Sequence, residues 1–375
     1  MLIGVFILAV LNAGTASKID PFEYLVVDLP GGTFTMGNSL DTRLHPQHLP
    51  GQQVQVDAFS IDKIPATVTM FQDFVAETRY KTDSEKFGWS FVVENHATEK
   101  AKAMSDQRVT DASHWIAVPG ALWLKPDGPG SFAKPLDTAG HISRNDAAAF
   151  CKWRGMRLAT ETEWEFAARG GLKKTRYPWG DRRPEGDYWP MNIWQGKFPK
   201  ENLILDGFHR TNPEMHYEPN NYGIYDTLGN VWEWTSTKYV DSAPKKKDEQ
   251  EQFVLRGGSF LDSIDGSFNH PVDINVRMSN TAESASSNTG VRCAKGIGSS
   301  KGYKYPSKST KGIGGMDQET MQKIVEEGGI EALQKILGDK ATVTTPAELK
   351  KKQEALKSKL KAMEEDMQND EHVEL

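Results

Sequence analysis

Cysteine is the scarcest feature of this sequence: 375 residues carry two, Cys151 and Cys293. That excludes a disulfide-dense scaffold, an all-cysteine iron–sulfur site and any four-cysteine zinc site, and leaves either one bridge or two thiols. An excess of positive charge is also missing. The 45 Lys and Arg stand against 51 Asp and Glu, for a net charge of −6, so there is no broad electrostatic footprint for nucleic acid. No apolar run reaches the ~18 residues of a membrane-spanning helix, and membrane insertion is not expected. No Asn-x-Ser/Thr acceptor occurs, so N-glycosylation is not expected either. Among nine histidines only His45 and His48 lie close in sequence, with Pro46 between them and no cysteine nearby, which argues against a zinc site.

What is present is an aromatic-rich folding unit. Ten tryptophans and 38% apolar residues support a core and exclude wholesale disorder. All ten lie between Trp89 and Trp234, whereas the chain beyond residue 298 holds only Tyr303 and Tyr305 as aromatics. Composition therefore divides the chain there. The first part is punctuated by turn signals such as Gly31-Gly32, Gly170-Gly171 and Gly257-Gly258, which predict an α+β domain of short strands, few helices and long ordered loops. Helices are expected over residues 67–80, after Ser143 with Asp146, and after Thr160 with Glu163, the last two starting on capping boxes. Cys151 then sits beside Phe150 on a helix, which is a structural address more than a reactive one.

The second part reads as a linker over residues 298–316 and a helical tail over 317–371. In the tail, Leu349, Leu356, Leu360, Met363 and Met367 form a narrow seam at steps of seven, four, three and four. That seam suits either docking on the same chain or a homodimeric coiled coil.

Both ends carry targeting signals. Residues 2–11 are a ten-residue apolar run closed by small residues through Ala16; as a helix it spans only ~15 Å, so residues 1–16 read as a signal peptide. The chain finishes His372-Val373-Glu374-Leu375, which departs from the standard retrieval tetrapeptide at two positions but keeps the terminal Glu-Leu. Together they place the mature chain in the endoplasmic reticulum lumen, where a disulfide is favoured over two thiols.

The residues alone give little catalytic signal. Ser259 in Gly257-Gly258-Ser259-Phe260 is not a Gly-x-Ser-x-Gly elbow, and Asp262 with Asp265 reads as a pair of loop caps. Asn192, Asp206 and Glu233, in aromatic and glycine-containing loops, are a weak hard-cation signal.

Specific strings say more: GGTFTMG from Gly31, FGWSFV from Phe87, ISRNDAAAFCKWRGMRLATETEWEFAARGG from Ile142, YPWGD from Tyr177, NIWQGKFP from Asn192, DGFH from Asp206, NNYGIYDTLGNVWEWT from Asn220, LRGGSF from Leu255 and NTGVRC from Asn288. In linear order over residues 24–297 this text resembles the formylglycine-generating enzyme family, the sulfatase-modifying factors. The resemblance implies a single irregular, loop-rich domain of the formylglycine-generating-enzyme type, which is C-type-lectin-like. The polar region 94–118 fits it loosely, and the helical tail has no counterpart.

The family's active branch places one cysteine three positions after the serine of Gly-Gly-Ser and a second five further on, and these hold copper and oxidise a substrate cysteine with oxygen. Here those positions are Asp262 and Ser267, neither of which is a thiolate ligand, so no copper is expected. The resemblance is closer to the inactive branch, whose members bind the active enzyme and sulfatases and damp sulfatase activation. It further implies two structural calcium sites, one from Asn192, Ile193 (carbonyl), Asp206 and Phe208 (carbonyl), the other from the carbonyls of Leu228, Gly229 and Val231 with Glu233, and with Asn230 nearby. It also implies a Cys151–Cys293 bridge closing a loop of about 140 residues, which contributes on the order of 4–5 kcal/mol in the chain-entropy model. Two other readings remain: an enzyme using a non-cysteine centre in the same groove, and a tail-driven adaptor unrelated to sulfatases.

Overall fold

The computed structural model describes residues 20, 22–37, 51–240, 250–266 and 269–296. The expected signal peptide, linker, helical tail and retrieval tetrapeptide, together with His45, His48 and Ser267, lie outside the described residues.

Two four-stranded sheets organise the domain. The first joins β1 (Val26–Leu29), β4 (Phe59–Asp62), β13 (Cys293–Gly296) and β8 (Arg157–Leu158), in that order and antiparallel throughout. Early strands thus pair with the last one, Ile61 lying opposite both Val27 and Ala294. The second sheet runs β11 (Arg277–Thr281), β10 (Gln252–Arg256), β9 (Trp232–Lys238) and β12 (Thr289–Gly290), the last pair being parallel. A ribbon of β2 (Gly32–Met36) with β3 (Gln52–Val56), and a three-stranded sheet of β5 (Trp89–Val93), β7 (Ala112–Pro119) and β6 (Arg108–Val109), complete the strands described. The loosely matching region 94–118 is therefore ordered, holding β6, β7 and a short helix.

The helices are α1 (Val68–Thr78), α2 (Asp83–Phe87), α3 (Glu99–Met104), α4 (Arg144–Trp153) and α5 (Glu161–Arg169). Thr67 caps α1, and capping boxes Ser143/Asp146 and Thr160/Glu163 start α4 and α5 as the spacing predicts. Thr82/Glu85 forms a third box, on α2. Helix α5 ends on Gly170 in the left-handed region at φ +55°; the Ala167 carbonyl accepts the Gly170 N–H at 3.2 Å, and the side-chain amide of Asn220 donates to the Ala167 and Ala168 carbonyls at 2.8 and 3.1 Å.

One face of α1 meets α4 through Phe71 and Phe150, stacked at 5.6 Å, with Phe74 edge-on to Phe150 at 5.8 Å. Cys151 follows on α4 and bridges to Cys293 at the start of β13, with a Cα–Cα distance of 5.5 Å, and both are fully buried. The second core packs Trp164 and Phe166 of α5 against Ile193, Leu228 and Val272. Between the cores lie buried ion pairs: Arg256 with Glu161 and Glu165 at 2.7 Å each, and Arg292 with Glu233 at 2.8 Å. Removing one partner of such a pair costs about 3–5 kcal/mol, because the other charge is left buried alone.

From residue 170 to 231 no helix or named strand occurs. A stretch this long without regular ladders must satisfy its backbone by other means, and here side-chain amides do so.

Candidate functional site

The segment that holds the family's redox position leaves β10 through Gly257 and Gly258, at φ +99° and +74°. A Cβ on Gly257 would lie 3.0 Å from the Thr227 carbonyl oxygen and 3.2 Å from the Trp164 ring, so glycine is needed both for the backbone angle and for the close approach. The chain then turns, with Asp262 N donating to Ser259 O at 3.0 Å, and anchors on the neighbouring loops: Trp194 N donates to Asp262 O at 2.9 Å and Phe260 N to Asn230 O at 3.0 Å.

Asp262 is fully buried, and both carboxylate oxygens are occupied. The Ser259 hydroxyl donates to Oδ2 at 2.5 Å and the His270 backbone N–H to Oδ1 at 3.3 Å. Burial pushes its carboxyl above the usual carboxylate range, while nearby His270 and these hydrogen bonds pull it back. Ser259 is equally committed, since its oxygen accepts Asn288 Nδ2 at 2.9 Å and Leu261 N at 3.3 Å. Its bonding partners include no imidazole that would activate it. Asp265 accepts the Ser263 hydroxyl at 3.2 Å, a loop cap. Both cysteines of the chain are spent in the bridge described above.

The residues implied for calcium come together in the loops beside this segment. Gly229 abuts Asn192 so closely that a Cβ there would lie inside the Asn192 carbonyl oxygen's contact distance, and Asn230 N donates to that oxygen at 2.8 Å. In the first set, Asn192 is fully buried, its Nδ2 donating to Arg210 O at 2.7 Å while Oδ1 has no hydrogen-bond partner. Asp206 Oδ2 accepts Ile193 N at 2.8 Å and Oδ1 accepts Phe208 N at 3.0 Å, so its carboxylate ties the two carbonyl-bearing residues together. Burial holds that carboxyl above its usual range.

In the second set, Glu233 spends its oxygens on Arg292 at 2.8 and 3.0 Å and on Trp164 Nε1 at 2.7 Å. Asn230 is a hub, its Oδ1 accepting Asn212 N at 3.1 Å and its Nδ2 donating to Thr138 Oγ1 at 2.9 Å. The open oxygen here belongs to a residue the sequence did not single out. Asp226, in the left-handed region at φ +49°, takes Asn212 Nδ2 at 3.2 Å on Oδ1, whereas its buried Oδ2 has no partner. Burial, with Glu233 nearby, raises its carboxyl to about 6. Three acceptors in these loops are buried without donors, Asn192 Oδ1, Asn212 Oδ1 and Asp226 Oδ2, and those of Asn192 and Asp226 fit a hard cation that takes oxygen ligands.

A histidine pair also escaped the sequence. His96 and His209 approach to 4.5 Å between ring centroids, and His96 is stacked on Phe260 at 5.7 Å and near-parallel to Trp194 at 6.1 Å. Burial, with His209 and Arg210 adding repulsion, pushes His96 well below the usual imidazole range. Among the described residues no group of three or more His, Cys, Asp or Glu is placed to hold a metal ion.

Residues 18–297 match the family model described as the sulfatase-modifying factor enzyme 1-like domain. The chain belongs to the sulfatase-modifying factor family. It is 46% identical to the inactive C-alpha-formylglycine-generating enzyme 2 of Bos taurus, over 73% of this chain and 88% of that one, and 46% identical to its Mus musculus counterpart, over 74% and 87%. To the formylglycine-generating enzyme of Bos taurus it is 40% identical, over 72% of this chain and 74% of that one. Among solved structures PvdO from Pseudomonas aeruginosa shares the fold, with a TM-score of 0.52 and 21% identity over 72% of this chain and 94% of that one. The sulfatase-modifying fold is thus the loop-rich, strand-dominated domain described above, and the relatives at highest identity cited here carry the word inactive in their names.

Proposed function

We propose that this chain is a catalytically inactive member of its family, working in the endoplasmic reticulum lumen, where it binds the active formylglycine-generating enzyme, sulfatases or both and lowers the yield of sulfatase activation. One observation carries the reading: both cysteines sit in a buried core bridge, while the position of the first redox cysteine holds Asp262 with each oxygen already bonded. A thiolate is the copper(I) ligand and the electron source in thiol oxidation, and a saturated, buried carboxylate supplies neither. What the scaffold retains is shape, and shape suffices to occupy a partner's docking surface.

The proposal includes calcium as a structural cofactor. Asn192, the Ile193 carbonyl, Asp206 and the Phe208 carbonyl would hold one ion; the carbonyls of Leu228, Gly229 and Val231 with Glu233, joined by Asp226, would hold the other. A bound ion would satisfy the open oxygens of Asn192 and Asp226 and clamp a stretch that has no regular ladders.

The regulatory reading is tested by titrating the full chain into the active formylglycine-generating enzyme with a cysteine-containing sulfatase peptide. Formylglycine yield should fall in proportion to the chain added. An unchanged yield, with no complex by analytical ultracentrifugation with either partner, contradicts the proposal.

A further inference from the structure

The loop that follows α5 concentrates charge of one sign. Residues 172–183 hold Lys173, Lys174, Arg176, Arg182 and Arg183 against Asp181 alone, in a chain whose net charge is −6. On a loop, such a run usually disperses into solvent. Here Lys174, Arg176 and Arg183 instead line one cavity of about 270 Å³, far above the roughly 10–15 Å³ that a single water requires.

The cavity is built from the core outward. Arg169, on the last turn of α5, contributes to its floor; its buried guanidinium donates to Glu165 Oε1 at 2.7 Å, Asn275 Oδ1 at 2.8 Å and Gly37 O at 3.2 Å, which fix its position and neutralise it. Beside it Tyr177 is buried and stacked on Trp179 at 5.1 Å. Burial raises the Tyr177 hydroxyl above its usual range, with Asp273 adding to it, while Arg176, bonded to it, and the charge of Arg183 pull it back. The lone lining carboxylate, Asp181, accepts the Arg176 backbone N–H at 2.8 Å.

Three further features mark the site as incomplete. Among the described residues, none of Lys174, Arg176 and Arg183 forms an ion pair with a carboxylate. Thr175 is a lining residue whose hydroxyl lies shielded behind the wall, without a hydrogen-bond partner. Lys174 is held in the left-handed region at φ +57°, which a non-glycine residue adopts at a cost. Unpaired cations around a concavity with a fixed floor suit a ligand that brings several negative oxygens. Arginine forks and a lysine ammonium match sulfate and phosphate oxygens in geometry as well as charge.

We propose that this cavity binds a tetrahedral oxyanion, a sulfate or phosphate group, through Lys174, Arg176 and Arg183. The site does not depend on the regulatory reading above, since none of its residues belongs to the Asp262 segment or to the calcium loops. The same chemistry is offered by free inorganic ions and by ester groups on a sugar, and the two are separable.

The test is calorimetric titration of the full chain with inorganic sulfate, inorganic phosphate, glucose 6-sulfate and glucose 6-phosphate at constant ionic strength. At least one should bind saturably at a single site, more weakly as sodium chloride rises. Lys174→Ala and Arg183→Ala, at exposed side chains, should each weaken that binding about tenfold while leaving the anion-free thermal midpoint unchanged. Asp181→Asn, which removes the one lining carboxylate, should tighten it. Esters binding more tightly than the inorganic ions identify the ligand as an esterified group, and equal affinities identify the free ion; either supports the site. No saturable binding of any of the four, or binding undiminished in both alanine variants, overturns it.

Discussion

Two stretches that touch each other differ in how fully their buried oxygens are satisfied. Around residues 259–270 each oxygen of Asp262 has a donor and Ser259 is bonded on both sides. In the loops of residues 192–233, Asn192 Oδ1, Asn212 Oδ1 and Asp226 Oδ2 are buried with none. An unmet buried acceptor costs about 1–3 kcal/mol, so the first stretch is finished as folded, while the second keeps open oxygens of the kind a hard cation takes. The contrast separates what the scaffold retains from what it has replaced: loops shaped to be held together remain, and the cysteine position is filled by a carboxylate that closes on its own neighbours.

The contrast can be broken or sharpened by experiment. The largest effect is expected at the bridge between α4 and β13. Cys151→Ser with Cys293→Ser should destabilise the domain by about 4–5 kcal/mol in urea unfolding, given the sequence separation of 142. A loss below about 1 kcal/mol would mean that the core alone sets the closure.

Next comes calcium. At a hundredfold excess over its Kd it should add about 2.7 kcal/mol, so chelation should lower the thermal midpoint by roughly 5–10 °C. Asp206→Asn and Asp226→Asn should shrink the chelator's effect, whereas Asp262→Asn should leave it intact. If all three behave alike, the two stretches do not differ.

Asp262→Ala orphans the Ser259 hydroxyl and the His270 amide, and should cost about 1–3 kcal/mol with or without calcium.

The smallest effect is a pH dependence on the closed side. His141 donates its backbone N–H to Ser286 O at 2.9 Å, close to Asn288, and its ring lies between Ser90 Oγ and Pro126 O at 2.8 Å each. Burial lowers its pKa from 6.5 to about 4. The unfolded chain therefore binds the proton more tightly, and stability is lost as pH falls from about 6.5 toward 4. The loss is roughly 1 kcal/mol by pH 5.5. The slope of stability against pH in this window should flatten in His141→Gln.

Much of this architecture was legible where its cause is local. Ser143 with Asp146, and Thr160 with Glu163, announce helix starts because cap and partner stand three residues apart, and both boxes form. Thr82 with Glu85 carries the same three-residue signal at the start of α2. The cysteine pairing came from the family resemblance, since two cysteines alone leave bridge and thiols equally open. His96 and His209 stayed hidden because a short helical turn and a loop far apart in sequence bring the rings together. Asp226 in Tyr-Asp-Thr reads as an ordinary turn residue, and only packing beneath Asn212 shows that it is buried with an open oxygen. The cavity at Tyr177 was invisible for the same reason: a basic loop looks solvated until its side chains are seen to converge.

The central claim is that the fold is kept and the cysteine oxidation is gone. Its most direct test is mass spectrometry of a cysteine-containing sulfatase peptide incubated with the purified chain, copper and oxygen. The account predicts an unmodified cysteine at every time point; a formylglycine mass that grows with the concentration of this chain would contradict it.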